Sequence, residues 1–121
     1  MRGADLKKEG RKIVIIRITE ENADMIFRKN PLLLLLCGDT ACVDRGEPLG
    51  EAVRRLLFAH PSLSFSVISE EERARLFPKD NRPSPLFYFL EQGRICGTIS
   101  APDAKSFTDF VNKNLQKAAI Y

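Results

Sequence analysis

Five stretches of the chain carry the hydrophobic pattern of β-strands. Ile13 to Ile18 is β-branched, and Leu32 to Leu36 is an unbroken leucine run, as expected for strands that are buried on both faces. Serines alternate with apolar residues from Leu63 to Val67, which is the period of a strand. Two further apolar runs, 86–90 and 94–99, are joined by a short link that contains a glycine, and we expect them to pair antiparallel.

Helical patterns occupy the intervals between these strands. Thr19, followed by two glutamates, predicts a capped helix that ends before Pro31. Apolar residues recur at helical spacing from Glu47 to His60, and a short charged helix is expected over 70–77. Asp103 is a candidate cap for a last helix with one apolar stripe, which comprises Phe107, Phe110, Val111 and Leu115.

The order of these elements, β-α-β-α-β-α-β-β-α, predicts an α/β fold. Strand-helix-strand units favour parallel pairing with right-handed crossovers, and the final hairpin is antiparallel, so we expect a mixed central sheet with helices on both faces. Residues 1–10 are polar and charged and are interpreted as a flexible N-terminal arm. Residues 11–121 are then a single domain.

Composition excludes several classes of protein. The chain has 121 residues, of which 44% are hydrophobic and 29% are charged, which is sufficient for one globular core. The net charge of +3 is small and its basic residues are dispersed, so a nucleic-acid partner is not expected. The longest apolar run, Leu32 to Cys37, is far shorter than a membrane span. We therefore expect no membrane partner, a cytoplasmic location and a monomer.

Cysteine and histidine usage predicts neither a disulfide framework nor a metal site. Three irregularly spaced cysteines do not make a framework, and one histidine without a C-x-x-C pair does not make a zinc site. We therefore expect no cofactor and a reducing compartment.

Several segments, in the right order and spacing, resemble the thioredoxin-like superfamily. The segment from Ile16 to Asn22 resembles the family's entry into its first helix, and the leucine run resembles the strand that leads to its active site. Pro85 to Gly93 resembles, without a gap, the family's cis-proline, strand and glycine turn, and Phe107 to Leu115 resembles the end of its last helix. The resemblance implies the thioredoxin fold.

The same resemblance locates a degenerate active site after the leucine run, where the sequence reads C-G-D-T-A-C-V. Aligned with the family's W-C-G-P-C, it places Asp39 at the attacking cysteine and Cys42 at the resolving one. Shifting the gap places Thr40 and Val43 there instead, so neither alignment restores the C-x-x-C pair. Leu33 replaces the family's buried acidic residue. These departures argue against dithiol exchange.

Three interpretations of the cysteines near this site stay open. Cys37 and Cys42 form a pair if their Cα atoms lie within about 7 Å. Alternatively, Cys42 acts as a lone thiol, which requires a lowered pKa, or it packs a loop as a small buried residue. Cys96 lies in the middle of a strand and is expected in the core.

The proline at position 85 predicts a binding groove. Pro83 and Pro85 could simply rigidify a loop, but the resemblance implies a cis bond before Pro85 and a backbone at Ser84 that binds an extended peptide. The groove would then be formed by Gly38, Asp39, Thr40, Ala41, Ser84 and Pro85.

Two function classes follow. As a binding module, the protein would keep this groove and hold a protein or peptide partner beside Pro85, as thioredoxin-like chaperones and assembly factors do. As a degenerate thiol-disulfide oxidoreductase, it would react through Cys42, alone or with Cys37. Exchange needs an attacking thiolate and a resolving thiol within reach, and neither alignment supplies both, so binding is the preferred interpretation.

Overall fold

Nine helices and strands follow one another in the order that the sequence predicts. The computed structural model of the chain describes residues 15–38, 47–80, 82 and 85–119, and the predicted arm, residues 1–10, lies outside them. The described elements are β1 (Ile15–Ile18), α1 (Ala23–Lys29), β2 (Leu32–Cys37), α2 (Pro48–Ala59), β3 (Leu63–Ile68), α3 (Glu70–Leu76), β4 (Leu86–Glu91), β5 (Arg94–Ser100) and α4 (Ala104–Ala119).

The five strands form one mixed sheet in the order β1-β3-β2-β4-β5. Strand β3 pairs in parallel with both β1 and β2, whereas β4 runs antiparallel to β2 and to β5. The leucine-rich strand β2 therefore occupies the middle of the sheet, as its unbroken apolar run predicts.

Each face of the sheet is covered by two helices. On one face, α2 and α4 pack against the alternate residues Leu34, Leu36, Phe65, Val67, Phe87 and Phe89. On the other face, α1 and the end of α3 pack against Leu33, Leu35, Cys37, Ile68, Leu86, Tyr88 and Leu90. Because both faces are covered, residues 33–37 are fully buried in succession.

Both faces of β3 are covered, so the alternation of serine with apolar residues does not separate a buried face from an exposed one. Ser66 is fully buried, and its hydroxyl donates to the carbonyl of Leu34 at 3.3 Å. The hydroxyl of Ser64 donates to the side-chain oxygen of Asn30 at 2.8 Å. Hydrogen bonding satisfies both hydroxyls and allows them to lie beneath the helices.

Of the two predicted caps, one agrees with the structure and one does not. Asp103 accepts a hydrogen bond from the Ser106 amide at 2.7 Å and begins α4. The predicted cap at Thr19 is wrong, because α1 begins only at Ala23. The Asn22 side chain accepts from the Thr19 amide at 2.7 Å and holds residues 19–22 in a turn before the helix.

The β4–β5 connection explains why the core position predicted for Cys96 is wrong. The turn residues Gln92 and Gly93 both have positive φ, 54° and 80°. A register shift pairs Phe89 with Gly97 and Leu90 with Ile95, which leaves Cys96 as the unpaired residue of a bulge. Since β5 is also an edge strand, Cys96 is exposed to solvent.

Candidate functional site

Gly38 and Pro85 meet at one edge of the sheet. Cys37, the last residue of β2, pairs with Leu86, the first residue of β4, so the residues just beyond them lie side by side. The carboxyl ends of β1, β2 and β3 share this edge, which is where open α/β sheets bind their ligands.

Backbone hydrogen bonds fix the chain at this edge. The Gly38 amide donates to the carbonyl of Ile68 at 3.1 Å, and the Ala101 amide donates to the carbonyl of Pro85 at 2.7 Å. Gly38 has a φ of 115°, which is a glycine conformation. The glycine after the leucine run is thus required by the way the chain leaves the sheet.

Only part of the predicted site lies within the described residues. Cys37, Gly38 and Pro85 are described, and the pairing of Cys37 with Leu86 places them next to one another. The other predicted site residues, Asp39, Thr40, Ala41, Cys42 and Ser84, lie outside the described residues. The role of Cys42, its pairing with Cys37 and the cis form of the bond before Pro85 therefore stay predictions.

Cys37 is a buried free thiol beside a carboxylate. Its Sγ lies 3.6 Å from Oε2 of Glu70, whose Oε1 accepts a hydrogen bond from Nε of Arg73 at 3.0 Å. Burial raises the pKa of the Cys37 thiol, and the charge of Glu70 raises it further, to about 12, although Arg73 acts in the opposite direction. At neutral pH the Cys37 side chain is therefore a thiol, and a thiol is a poor nucleophile.

A second group of polar side chains follows α3. Nη1 of Arg73 donates to the carbonyls of Phe77 and Asp80. The carboxylate of Asp80 accepts from the hydroxyl of Tyr88 at 2.7 Å and from Arg82 at 2.9 Å and 2.7 Å. These contacts attach the segment before Pro85 to β4 and to α3.

The protonation of this group follows from its contacts. Hydrogen bonds from Arg82, and a further one from Tyr88, hold the pKa of Asp80 well below its usual range. Burial, together with the contact to Asp80, raises the pKa of the Tyr88 phenol. Asp80 is thus ionised and Tyr88 neutral across the physiological pH range.

The sequence analysis predicted neither the contact of Cys37 with Glu70 nor the contact of Asp80 with Tyr88. Glu70 and Arg73 were interpretable as an i,i+3 pair on a charged helix. Nothing in the sequence indicated that Glu70 would meet Cys37, 33 residues away, or that Asp80 would accept from Tyr88.

Leu33 lies on the same face of β2 as Cys37 and is fully buried. The position that the resemblance aligns with a buried acid therefore carries no proton donor or acceptor.

The described residues contain neither a metal-binding cluster nor a membrane-spanning helix. No three His, Cys, Asp or Glu side chains among them are arranged to hold a metal ion. None of the helices that the structure describes is long and apolar enough to cross a bilayer.

Comparison with known proteins identifies the architecture. No protein-family model matches the sequence, and the search of curated proteins returned no match. Solved structures do match. The oxidised thioredoxin of Plasmodium falciparum is 13% identical with a TM-score of 0.64, over 84% of this chain and 98% of that one.

Two further thioredoxins give the same result. The thioredoxin of Trypanosoma brucei brucei is 11% identical with a TM-score of 0.65, over 92% of this chain and 96% of that one. Oxidised mitochondrial thioredoxin 3 of Saccharomyces cerevisiae is 17% identical with a TM-score of 0.64, over 82% and 94% of the two chains. Together with the strand order and the edge formed by Gly38 and Pro85, these matches show that the chain has the thioredoxin fold.

Proposed function

We propose that this protein is a binding module that holds an extended segment of a partner protein at the edge formed by Gly38 and Pro85, without dithiol-disulfide exchange. The observation that carries the proposal is the state of Cys37, the cysteine at this edge. It is fully buried, lies against Glu70 and has a pKa raised to about 12.

Three chemical requirements of exchange are missing or opposed. The sequence contains no C-x-x-C pair. Cys37 is held as a thiol, whereas exchange begins with a thiolate. The buried position at Leu33 is apolar, so it offers no group that could move a proton.

Two described features support binding at this edge. Strands β2 and β4 bring Gly38 and Pro85 together, and backbone hydrogen bonds hold both on the rigid sheet. By the resemblance, an extended peptide would be held at this end of the strands through its main chain. Ser84, by the resemblance, is the residue whose backbone the partner would meet.

Insulin reduction driven by dithiothreitol tests the absence of exchange. A thioredoxin with an intact C-x-x-C pair is the positive control, and the wild-type protein is compared with Cys42→Ser and Cys37→Ser. We expect all three forms to stay at the uncatalysed rate. Turnover that disappears in Cys42→Ser would refute the proposal and establish a redox protein that acts through Cys42.

Site-specific photocrosslinking tests the binding edge. A benzophenone side chain is placed at position 39 or 84, and at Gln92 as the control, since Gln92 lies at the opposite end of β4. The probe is insulin B chain with its cysteines carbamidomethylated, so that no thiol chemistry contributes. Crosslinks at 39 and 84 that weaken in Pro85→Ala are expected. Equal labelling from position 92 would contradict the proposed edge.

A further inference from the structure

An open pocket lies on the sheet face beside β5, and neither Gly38 nor Pro85 is among the residues that line it. On this face, residues that pair across β4 and β5 point the same way, so Ile95 lies beside Leu90 and Thr98 beside Tyr88. Leu90 and Tyr88 are each 1% exposed, whereas Ile95 is 46% exposed. On this face the helices therefore cover β4 but leave β5 exposed.

The pocket has the size and lining of a small-molecule site. Its volume is about 600 Å³, within the range of ligand pockets in proteins. Apolar and aromatic groups form most of the surface, with Phe77, Pro78 and Ile95 around Tyr88 and Thr98. The Phe77 and Tyr88 rings pack against each other with centroids 4.6 Å apart, and this contact fixes the two aromatic side chains that line the pocket.

The wall of the pocket is held in place before any ligand arrives. Arg73 binds the carbonyls of Phe77 and Asp80, and the Asp80 carboxylate binds both Tyr88 and Arg82. A ligand would therefore meet a preformed surface, which lowers the entropic penalty of binding.

The charged side chains at the rim favour an anionic ligand. Lys79, Asp80 and Arg82 line the pocket. The Asp80 carboxylate is already occupied by Arg82 and Tyr88. Lys79 forms no ion pair with any residue that the structure describes. The rim thus carries one positive charge in excess, above an apolar floor.

We infer that this pocket, defined by Phe77, Pro78, Lys79, Arg82, Ile95 and Thr98, binds a small carboxylic acid with an aromatic or aliphatic body. The apolar body lies on Phe77, Pro78 and Ile95, and the carboxylate faces Lys79 and the outer side of Arg82. This site is independent of the proposed partner-binding edge, and either can fail without the other.

Titration followed by amide NMR tests the inference on the full chain. The probe is 4-phenylbutyrate, with 4-phenylbutylamine as the cationic analogue and acetate as the carboxylate without an apolar body. For about twelve heavy atoms, typical ligand efficiencies give a dissociation constant of about 1 mM. We expect saturable shifts centred on Ile95 and Thr98 with phenylbutyrate, and none with acetate.

Charge reversal separates this site from general surface attraction. Lys79→Glu is expected to weaken phenylbutyrate binding by about tenfold and to improve binding of the amine. Lys113→Glu, an exposed substitution on α4, is the matched control and should change neither. Ile95→Asp removes part of the apolar wall at an already exposed position and should abolish binding. Equal affinity for acid and amine, shifts centred elsewhere, or no saturation would each overturn the inference.

Discussion

The Sγ atom of Cys37 lies 3.6 Å from the Glu70 carboxylate, at the end of a strand whose last five residues are fully buried. In this position the neutral thiol donates to a negative acceptor, and ionisation would place a second negative charge, itself buried, beside the exposed Glu70 carboxylate. Both effects favour the thiol over the thiolate. Cys37, the last residue of β2, is thus held as a buried neutral thiol.

Alkylation should therefore distinguish the cysteines of the folded protein. At pH 8, we expect iodoacetamide to modify exposed Cys96 and to modify Cys37 at least about a hundredfold more slowly, because Cys37 is inaccessible and un-ionised. Peptide mass spectrometry of timed samples measures both rates, and the urea-unfolded chain is the control in which they should converge. Comparable rates in the folded state would show that Cys37 is open to solvent.

Stability should decrease at alkaline pH for the same reason. The Cys37 thiol has a folded-state pKa of about 12 against an ordinary value of 9.0. The unfolded chain therefore releases this proton first as pH rises above 9. The free energy of unfolding then falls by about 1.4 kcal/mol per pH unit for this group. Urea unfolding from pH 7 to 10.5 measures the slope, and Cys37→Ala should flatten it. An unchanged slope in that variant would assign the effect to Tyr88, whose pKa is also raised.

The fold was predictable because its signals are local. The leucine run between Pro31 and Gly38 indicates a strand covered on both faces, and the structure places it mid-sheet. Asp103 indicates the start of the last helix, and it caps that helix. These features depend on residues close together in the sequence.

The site was less predictable because its contacts are long-range. Cys37 meets Glu70 only through the parallel pairing of β2 with β3, which places the end of β2 beside the start of α3. The exposure of Cys96 depends on a one-residue bulge. A bulge changes which residues face the core, and the hydrophobic pattern does not reveal it. Contacts of this kind require the sheet register, which composition and periodicity do not give.

Asp80 should be the most sensitive charged residue of the segment before Pro85. Asp80→Ala leaves the buried Tyr88 hydroxyl and Arg82 without their acceptor, and we expect a loss of about 2 to 3 kcal/mol in the free energy of unfolding. Asp109→Ala, which removes an exposed pair with Lys105, is the matched control and should change stability by less than about 0.5 kcal/mol. Chemical denaturation of both variants measures the difference. Similar losses would show that the Asp80 contacts are no stronger than surface pairs.

The pH dependence of Asp80 has the opposite sign to that of Cys37. Its folded-state pKa is lowered, so its stabilising contribution is present above the ordinary value of 3.8 and is lost as the pH falls below it. Between pH 5 and pH 2.5, wild type should lose stability more steeply than Asp80→Ala. Parallel acid profiles would contradict this assignment.

Gly97 and Asn114 should be energetically coupled. A Cβ at Gly97 would lie 3.0 Å from the Asn114 amide and 3.1 Å from the Phe110 ring. The amide is buried, donates to the Phe110 carbonyl at 2.8 Å and has no partner for its oxygen within the described part of the chain. We expect Gly97→Ala to destabilise the protein by about 1 to 2 kcal/mol through overpacking. In the Asn114→Ala background the same change should be less destabilising, because only the close contact with the Phe110 ring remains. A double-mutant cycle measures this coupling, and additive effects would refute it.

Replacing Ala101 with glycine is expected to raise the free energy of unfolding. It has a φ of 48°, a left-handed conformation that is unfavourable for alanine by about 1 kcal/mol, and its amide is fixed by the Pro85 carbonyl. Ala101→Gly relieves this strain but makes the unfolded chain more flexible, so we expect a net gain of up to about 0.5 kcal/mol. Gly93→Ala is the reverse experiment at a φ of 80°, where the nearest contact of the new Cβ is an ordinary 3.5 Å to Phe27. That change should destabilise the turn by about 1 to 2 kcal/mol through backbone strain alone. Urea denaturation of the two variants compares them directly, and a loss of stability in Ala101→Gly would contradict the expected gain and show that the strain at position 101 is smaller than the entropic penalty of glycine.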